Sequence, residues 1–268
     1  MCELFALSSL HPASASFSLD EFARHGGISG PHKDGWGIAF YEEKDARLIR
    51  DVASAGESPY LEFIRNNRQT SQIILAHIRL ATQGERSLHN CQPFSRELGG
   101  RVHLFAHNGD LAEINSAEFP LGRFHPIGDT DSEYAFCHLM SMLEGLWLTG
   151  HPPSLQDRYQ IIREFAARIQ PLGPANFIYS DGEYLFAHGH KRTQPGREGH
   201  HPPGLHYLQR TCTIPQPDNK FSGVNLNYGS KPQEVTLLAS VPLSDEGWRP
   251  LSEGEILVLS RGTVLRPG

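Results

Sequence analysis

The chain has 268 residues, is 38% hydrophobic, and carries a formal net charge of −6 with a pI near 6.2. That length exceeds the roughly 100–200 residues of an ordinary domain but still suits one layered α/β or β-rich unit with a substantial core. The acidic balance argues against nucleic acid as a main partner. No apolar run approaches the roughly 18 residues needed to span a membrane, and no signal peptide is recognisable.

Four cysteines stand at positions 2, 91, 137 and 212. None forms a C-x-x-C pair, and the chain is too poor in cysteine for a disulfide scaffold, so a reducing cytosol is the expected setting.

In chain order, residues 2–10 read as a strand ending in a turn at His11-Pro12. Ser18-Leu19-Asp20-Glu21 is a capping-box pattern, and Gly26-Gly27 closes the short helix it opens. Residues 35–41 read as a strand leaving a glycine-rich turn, paired with 47–52 as a hairpin. Ser58-Pro59 starts another short helix ending near Asn66-Asn67. Residues 71–80 and 101–107 are strongly β-like. A second capping-box pattern at Thr130-Asp131-Ser132-Glu133 opens a helix to about Trp147, with Phe136, Met140, Leu143 and Trp147 at helical spacing. A further helix is expected over about 154–170, then short strands at 175–180, 183–188, 205–210, 234–241 and 255–260. Strands, central helices and strands again suit an α+β architecture, an αββα sandwich of two β layers between helical layers. Residues 189–204 and 213–232 are rich in Gly, Pro and polar residues and read as long surface loops, one of which could border a site.

The chemistry begins at Cys2. With Met1 removed, this residue carries both a thiol and a free α-amine, a nucleophile and a base of ordinary pKa about 7.7–8.0. Without further support it is simply a small residue opening a strand. His107-Asn108-Gly109 supplies a side-chain amide beside a glycine N–H, either an oxyanion hole or an ordinary Asn-Gly turn. Arg79 with Thr82 at a strand end offers a carboxylate grip or a surface salt bridge. Asp131 suits either an ammonium or the helix dipole. Gln92, in the turn-like Asn90-Cys91-Gln92-Pro93-Phe94 segment, could hydrogen-bond around the nucleophile. His32-Lys33-Asp34-Gly35-Trp36-Gly37 could bring backbone near a ligand, or be a structural turn. The histidines at 188, 190, 200, 201 and 206 have no recognisable metal-ligand spacing, so no metal is expected and a solvated loop is the simpler reading.

In their order along the chain, Cys2, Asp34-Gly35-Trp36-Gly37, Arg79-x-Ala81-Thr82, Asn90-x-Gln92-Pro93-Phe94, His107-Asn108-Gly109 and Thr130-Asp131-Ser132-Glu133 resemble the class II glutamine amidotransferases, which are N-terminal nucleophile hydrolases. The chain looks most like the stand-alone YafJ-type members, and Ala239-Ser240-Val241-Pro242-Leu243, Gly247-Trp248 and Gly254-Glu255 are similar to theirs. The resemblance implies one amidotransferase domain over 1–268. It implies Cys2 as nucleophile with its own amine as base, Asn108 and the Gly109 N–H as oxyanion hole, Arg79 and Asp131 on the two charged ends of glutamine, and Thr82 and Gln92 lining the pocket. A γ-glutamyl thioester would release ammonia and then glutamate, with no cofactor. Gln83 and Gln92 depart from the sugar-aminating branch, which has histidines there. No length remains for an attached synthase, so the expected ammonia acceptor is a separate protein or water. The same grip suits γ-glutamyl amides or peptides, and a binding protein that keeps the fold without catalysis is the alternative of another class.

Overall fold

The strand that carries the nucleophile candidate is apolar on both faces, and this sets the architecture. In Glu3–Ala13 (β1), Phe5 and Leu7 point to one side and Leu4 and Ala6 to the other, all fully buried. Such a strand needs cover above and below. The computed structural model describes residues 1–14, 16–27, 30–67, 69–81, 84–212 and 232–267. After β1 come α1 (Ser16–His25), β2 (Trp36–Glu42), β3 (Asp45–Asp51), α2 (Pro59–Asn66), β4 (Ser71–Ile78), β5 (Phe94–Leu98) and β6 (Arg101–Gly109). Two longer helices, α3 (Asp131–Trp147) and α4 (Leu155–Ile169), occupy the middle. Then follow β7 (Ala175–Ser180), β8 (Leu185–His188), the small hairpin β9 (Arg192–Thr193) and β10 (His200–His201), β11 (His206–Cys212), β12 (Gln233–Ala239), β13 (Arg249–Pro250), β14 (Ile256–Ser260) and β15 (Thr263–Leu265).

These build a four-layer αββα sandwich. A seven-stranded sheet runs β13-β11-β12-β1-β4-β2-β3, and a six-stranded sheet runs β15-β14-β8-β7-β6-β5. Between them Leu4, Ala6, Ala39 and Leu75 meet Leu104, Ala106, Ile178 and Leu257. On the outer face of the larger sheet, Leu19 and Phe22 of α1 and Leu61 and Ile64 of α2 cover Phe5, Trp36 and Ile74. With 10 and 8 residues, these helices fall below the ~12–15 residues that hold an isolated helix, so their stability comes from this packing. On the outer face of the smaller sheet, α3 and α4 cover Phe105, Phe177 and Phe186. The segment between β6 and α3 adds Leu111, Ile114, Phe119 and Phe124 to the same core.

Both long helices start where their caps direct. Thr130 Oγ1 accepts the Glu133 N–H at 3.3 Å, and Ser154 Oγ accepts the Asp157 N–H at 3.2 Å. The reciprocal half of the Thr130 capping box is diverted: Glu133 Oε2 takes the Gly128 N–H at 2.7 Å, while Oε1 pairs with Arg96 at 2.6 Å.

Several expectations need correction. β1 continues through His11-Pro12, because its pairing with β4 resumes at Ala13 after an irregularity. Helix α1 begins at Ser16, so the Ser18 pattern lies inside the helix and not at its start. Strand β5 replaces part of an expected turn. Residues 189–204 contain the β9–β10 hairpin, and His188 and His190 are buried at the start of that segment, not solvated. Their ring nitrogens are spent on Ala175 and Gln170 and on Ala175 and Glu253 respectively. Among the described residues no group of three or more His, Cys, Asp or Glu could hold a metal ion. The expected loop 213–232 lies, but for its last residue, outside the described residues.

Candidate active site

Five element ends converge at one end of the sandwich. In the seven-stranded sheet Glu3 pairs with Ile78, and Trp36 pairs with the same Ile78 from the other side. Cys2 before β1, Arg79 after β4 and the Asp34-Gly35 turn before β2 therefore become neighbours. In the facing sheet β6 ends with Asn108-Gly109, and α3 begins at Asp131.

Cys2 is partly buried. The Leu80 N–H donates to its Sγ at 3.4 Å, and the Leu80 carbonyl lies 3.5 Å away. Burial pushes the Cys2 thiol above its ordinary pKa, while the Leu80 N–H, the chain-terminal ammonium and Arg79 oppose this. At neutral pH the thiol therefore keeps its proton, and turning it into a nucleophile requires a base. With Met1 attached, the Cys2 nitrogen is an amide. The Met1 carbonyl lies 2.7 Å from Nε2 of buried His32, whose Nδ1 faces the His25 carbonyl at 3.2 Å. Glu3 Oε2 lies 2.7 Å from His25 Nδ1.

Arg79 is buried, and its guanidinium donates to the carbonyls of Glu85 at 3.0 Å and Gly84 at 3.1 Å. Its backbone is equally fixed. The Arg79 N–H donates to Gly35 O at 2.8 Å, and the Ala81 N–H donates to Asp34 Oδ2 at 2.8 Å. The Asp34-Gly35-Trp36-Gly37 turn is thus the brace of the Arg79 loop. Gly35 has φ +115°, and a Cβ there would lie 2.5 Å from Cys91 Sγ. Asn90 ties this loop to α3: its Nδ2 donates to Glu85 O at 3.0 Å and its Oδ1 accepts the Asp129 N–H at 2.9 Å. Two residues on, Asp131 Oδ2 accepts the Leu111 N–H at 2.7 Å. Thr82 and Gln83 lie outside the described residues.

Asn108 and Gly109 are not a turn. They are the last residues of β6 and pair with Asn176 and Ala175 of β7. A Cβ on Gly109 would sit 1.7 Å from Pro174 O, so this position accepts no side chain. Gln92 Oε1 accepts the His107 N–H at 2.6 Å, which braces the strand one residue before Asn108. His107 Nε2 donates to Pro174 O at 3.2 Å, since a carbonyl only accepts, so Nδ1 takes the Ser132 hydroxyl proton at 2.9 Å. Burial holds this imidazole below its ordinary pKa and neutral. Below the site, His77 faces the layer between the sheets beside Leu4 and Gly37. Neither of its ring nitrogens has a partner among the described residues. Burial, with Arg79, His107 and His32, holds its pKa well below the ordinary value.

The geometry thus gathers Cys2, Arg79 and Asp131 into one electrostatic neighbourhood, since both charged groups act on the Cys2 thiol. The family model described as glutamine amidotransferases class-II matches residues 1–267. The chain belongs to the class II glutamine amidotransferases. It is 34% identical to YafJ of Escherichia coli over 95% of this chain and 96% of that protein. A Haemophilus influenzae relative is 31% identical over 98% of this chain and 85% of its own length. Among solved structures, a predicted glutamine amidotransferase from Pseudomonas aeruginosa matches with TM-score 0.69 and 29% identity, over 99% of this chain and 100% of that one. The glutamine phosphoribosylpyrophosphate amidotransferase of Bacillus subtilis shares the fold, with TM-score 0.59 and 16% identity over 98% of this chain and 48% of its own.

For a class II amidotransferase chain, three residues at this end were not singled out from sequence. Asn176 Nδ2 donates to Asn108 O at 3.0 Å and to Lys191 O at 2.8 Å. Ser240 Oγ contacts both β1 and Asn108. His32 contacts Met1. Ser240 stood in a quoted motif and His32 in a glycine-rich turn, but a lone serine after a strand carries no chemical signal. Asn176 had none.

Proposed function

We propose that the chain, read as one glutaminase unit over 1–268, hydrolyses the γ-amide of glutamine through a thioester on Cys2. The α-amine of Cys2, freed by loss of Met1, takes the thiol proton, directly or through a water. The sulfur attacks the γ-carbonyl carbon, and the resulting oxyanion is met by the Asn108 amide and the Gly109 N–H. The C–N bond breaks, and the amide nitrogen leaves as ammonia with the proton the sulfur gave up. Water then cleaves the thioester, giving glutamate and restoring the thiol. Arg79 holds the α-carboxylate and Asp131 the α-ammonium. Asp131 Oδ1 suits this because the nearby Ser132 proton is engaged by His107. Gln92 holds the strand that carries Asn108. No cofactor enters, and a reducing compartment such as the cytosol keeps the thiol free.

One observation carries the reading. Cys2, with its partly buried thiol held by the Leu80 N–H at 3.4 Å and pushed up by burial, sits at the terminus, where removal of one residue creates a base on the same residue. A thiol that needs a base and a terminus that can supply one are complementary. The ammonia goes to water or to a separate acceptor protein. The test is incubation of Met1-free protein with glutamine, followed by glutamate and ammonia assays. Stoichiometric release of both is expected, and folded Met1-free protein that releases neither contradicts the reading. A panel of γ-glutamyl amides and peptides run beside glutamine identifies the preferred leaving group.

A further inference from the structure

Ser240 follows β12 directly and is buried at the junction of three segments. Its N–H donates to Leu4 O at 3.0 Å, and its carbonyl accepts from Arg192 Nη1 at 2.8 Å. These bonds leave the hydroxyl little freedom. The oxygen lies 3.0 Å from the Leu4 nitrogen and 3.2 Å from the Asn108 side-chain amide, at Nδ2. Leu4 is two residues beyond the nucleophile on the same face of β1, and Asn108 faces it from β6. The hydroxyl therefore bridges the nucleophile strand and the amide of the proposed oxyanion site.

The bonding around this bridge is unbalanced. A serine hydroxyl has one proton and two lone pairs. With Nδ2 turned to Ser240, two N–H donors converge on one oxygen and the hydroxyl proton has no partner among the described residues. At the same time Asn108 Oδ1, fully buried, has none either. A buried acceptor without a partner carries the full cost of its lost hydration. Half a turn of the amide resolves both defects. Oδ1 and Nδ2 exchange places, the hydroxyl gives its proton to Oδ1, and its lone pair still takes the Leu4 N–H. The backbone of Asn108 does not need to move; Asn176 holds its carbonyl from the other side. The atom then left without a protein partner is a donor instead of an acceptor, which is what a developing oxyanion requires.

We propose that Ser240 is a positioning residue for the oxyanion site, whose hydroxyl donates to Asn108 Oδ1 and so turns the Asn108 NH2 toward the reacting carbonyl. The inference deepens the amide-hydrolysis reading and rests on it for its catalytic consequence, but the hydrogen-bond orientation stands by itself. Ser240 has no hydrogen bond to the Cys2 sulfur among its described contacts. It acts by choosing which end of one amide faces the site.

Two measurements test it. Neutron diffraction of Met1-free, deuterium-exchanged protein locates the hydrogens directly. The expected map has deuterium on Ser240 Oγ directed at Asn108 and the ND2 group on the far side; ND2 directed at Ser240 overturns the proposal. The second compares wild type with Ser240→Ala in two reactions. Glutamine turnover passes through an oxyanion, whereas alkylation of Cys2 by iodoacetamide displaces iodide from a CH2 carbon and forms none. Ser240→Ala is expected to lower kcat for glutamine about 10- to 100-fold, somewhat less than outright loss of an oxyanion donor. KM stays within about twofold, and the alkylation rate of Cys2, read by peptide mass, is unchanged. A variant with wild-type kcat, or one that loses turnover and alkylation together, refutes the positioning role. Wild-type protein that is alkylated at Cys2 but releases no glutamate defeats the glutaminase reading, and the neutron result still decides the orientation.

Discussion

At the end of the sandwich away from Cys2, Arg158 lies buried between the rings of Trp147 and Tyr184, 4.8 and 4.9 Å from their centroids. It pairs with Asp181 and Glu183 at 2.9 Å each. Asp181 Oδ1 takes the N–H groups of Glu183 and Tyr184, and Tyr41 donates its hydroxyl to Ser180 O at 2.7 Å. Every charge in this cluster has a partner; the indole N–H of Trp147 is its exception. At the Cys2 end, the Asn108 side-chain amide, both nitrogens of His77 and Nε of Arg192 leave buried polar atoms without partners among the described residues. One chain, with the same two sheets, closes its polar groups at one end and leaves them open at the other. Since each open group costs about 1–3 kcal/mol, the difference is the one expected if stability is given up for chemistry at the Cys2 end.

Four experiments can break or sharpen this contrast. The largest effect is expected from Cys2→Ala, which should abolish glutamate release and leave the thermal unfolding midpoint where it was. Residual turnover at the wild-type rate would remove Cys2 from the mechanism. Next is Arg158→Ala at the closed end. It strands Asp181 as an uncompensated buried carboxylate, so unfolding free energy should fall by about 3–5 kcal/mol in urea titrations, with kcat unchanged wherever the protein stays folded. A loss of kcat with little loss of stability would reverse the assignment of the two ends. Third, Asn108→Ala should lower kcat about 10²–10³-fold, some 2.7–4 kcal/mol of barrier, while stability changes less. Equal kcat in mutant and wild type would exclude the amide from the oxyanion site.

The smallest expected effect is in acid. His103 and His188 are buried and neutral, and burial lowers both to about 4 from an ordinary 6.5. The unfolded chain binds their protons first, so their stability is complete above about pH 6.5 and is lost as pH falls toward about 4, on the order of 3 kcal/mol each. The Glu3–His25 pair works in the opposite sense on its histidine side. His25 is raised by its bond to Glu3, a contribution present below 6.5 and lost as pH rises through its folded value. Glu3 is held below 4.5 by His25 against the opposing pull of burial, a contribution present above 4.5 and lost at lower pH. Urea midpoints at pH 7, 5.5 and 4 should fall steadily. A midpoint at pH 4 equal to that at pH 7 would mean these rings are not buried neutral.

The elements legible in the sequence were those with a strong local cause. Thr130 caps α3 as its side chain predicts, and apolar spacing carried both long helices to nearly their true ends. The doubly buried runs of β1 and β4 announced themselves as strands. Short edge strands did not. β5 is Phe-Ser-Arg-Glu-Leu, and only its pairing with β6 makes it a strand. His188 and His190 resembled a solvated histidine-rich loop because burial of an imidazole depends on partners, here Ala175, Gln170 and Glu253, that are close only in space. At the candidate site, Cys2, Arg79, Asn108 and Asp131 could be picked out because each ends an element with a reactive or charged group. The bracing roles of Asp34, Asn90, Gln92 and Ser240 arise from bonds across 15 to 132 positions of sequence and became visible only once the strands were in register.

The central claim is that Cys2 acts with its own freed amine. Two preparations of the same chain, one verified by intact mass to lack Met1 and one verified to keep it, can be given glutamine at pH 7.5 and followed for glutamate. The account predicts turnover by the Met1-free form and none by the Met1-bearing form, with both folded and both carrying the Leu80-bound thiol. Equal turnover by the two forms would contradict it.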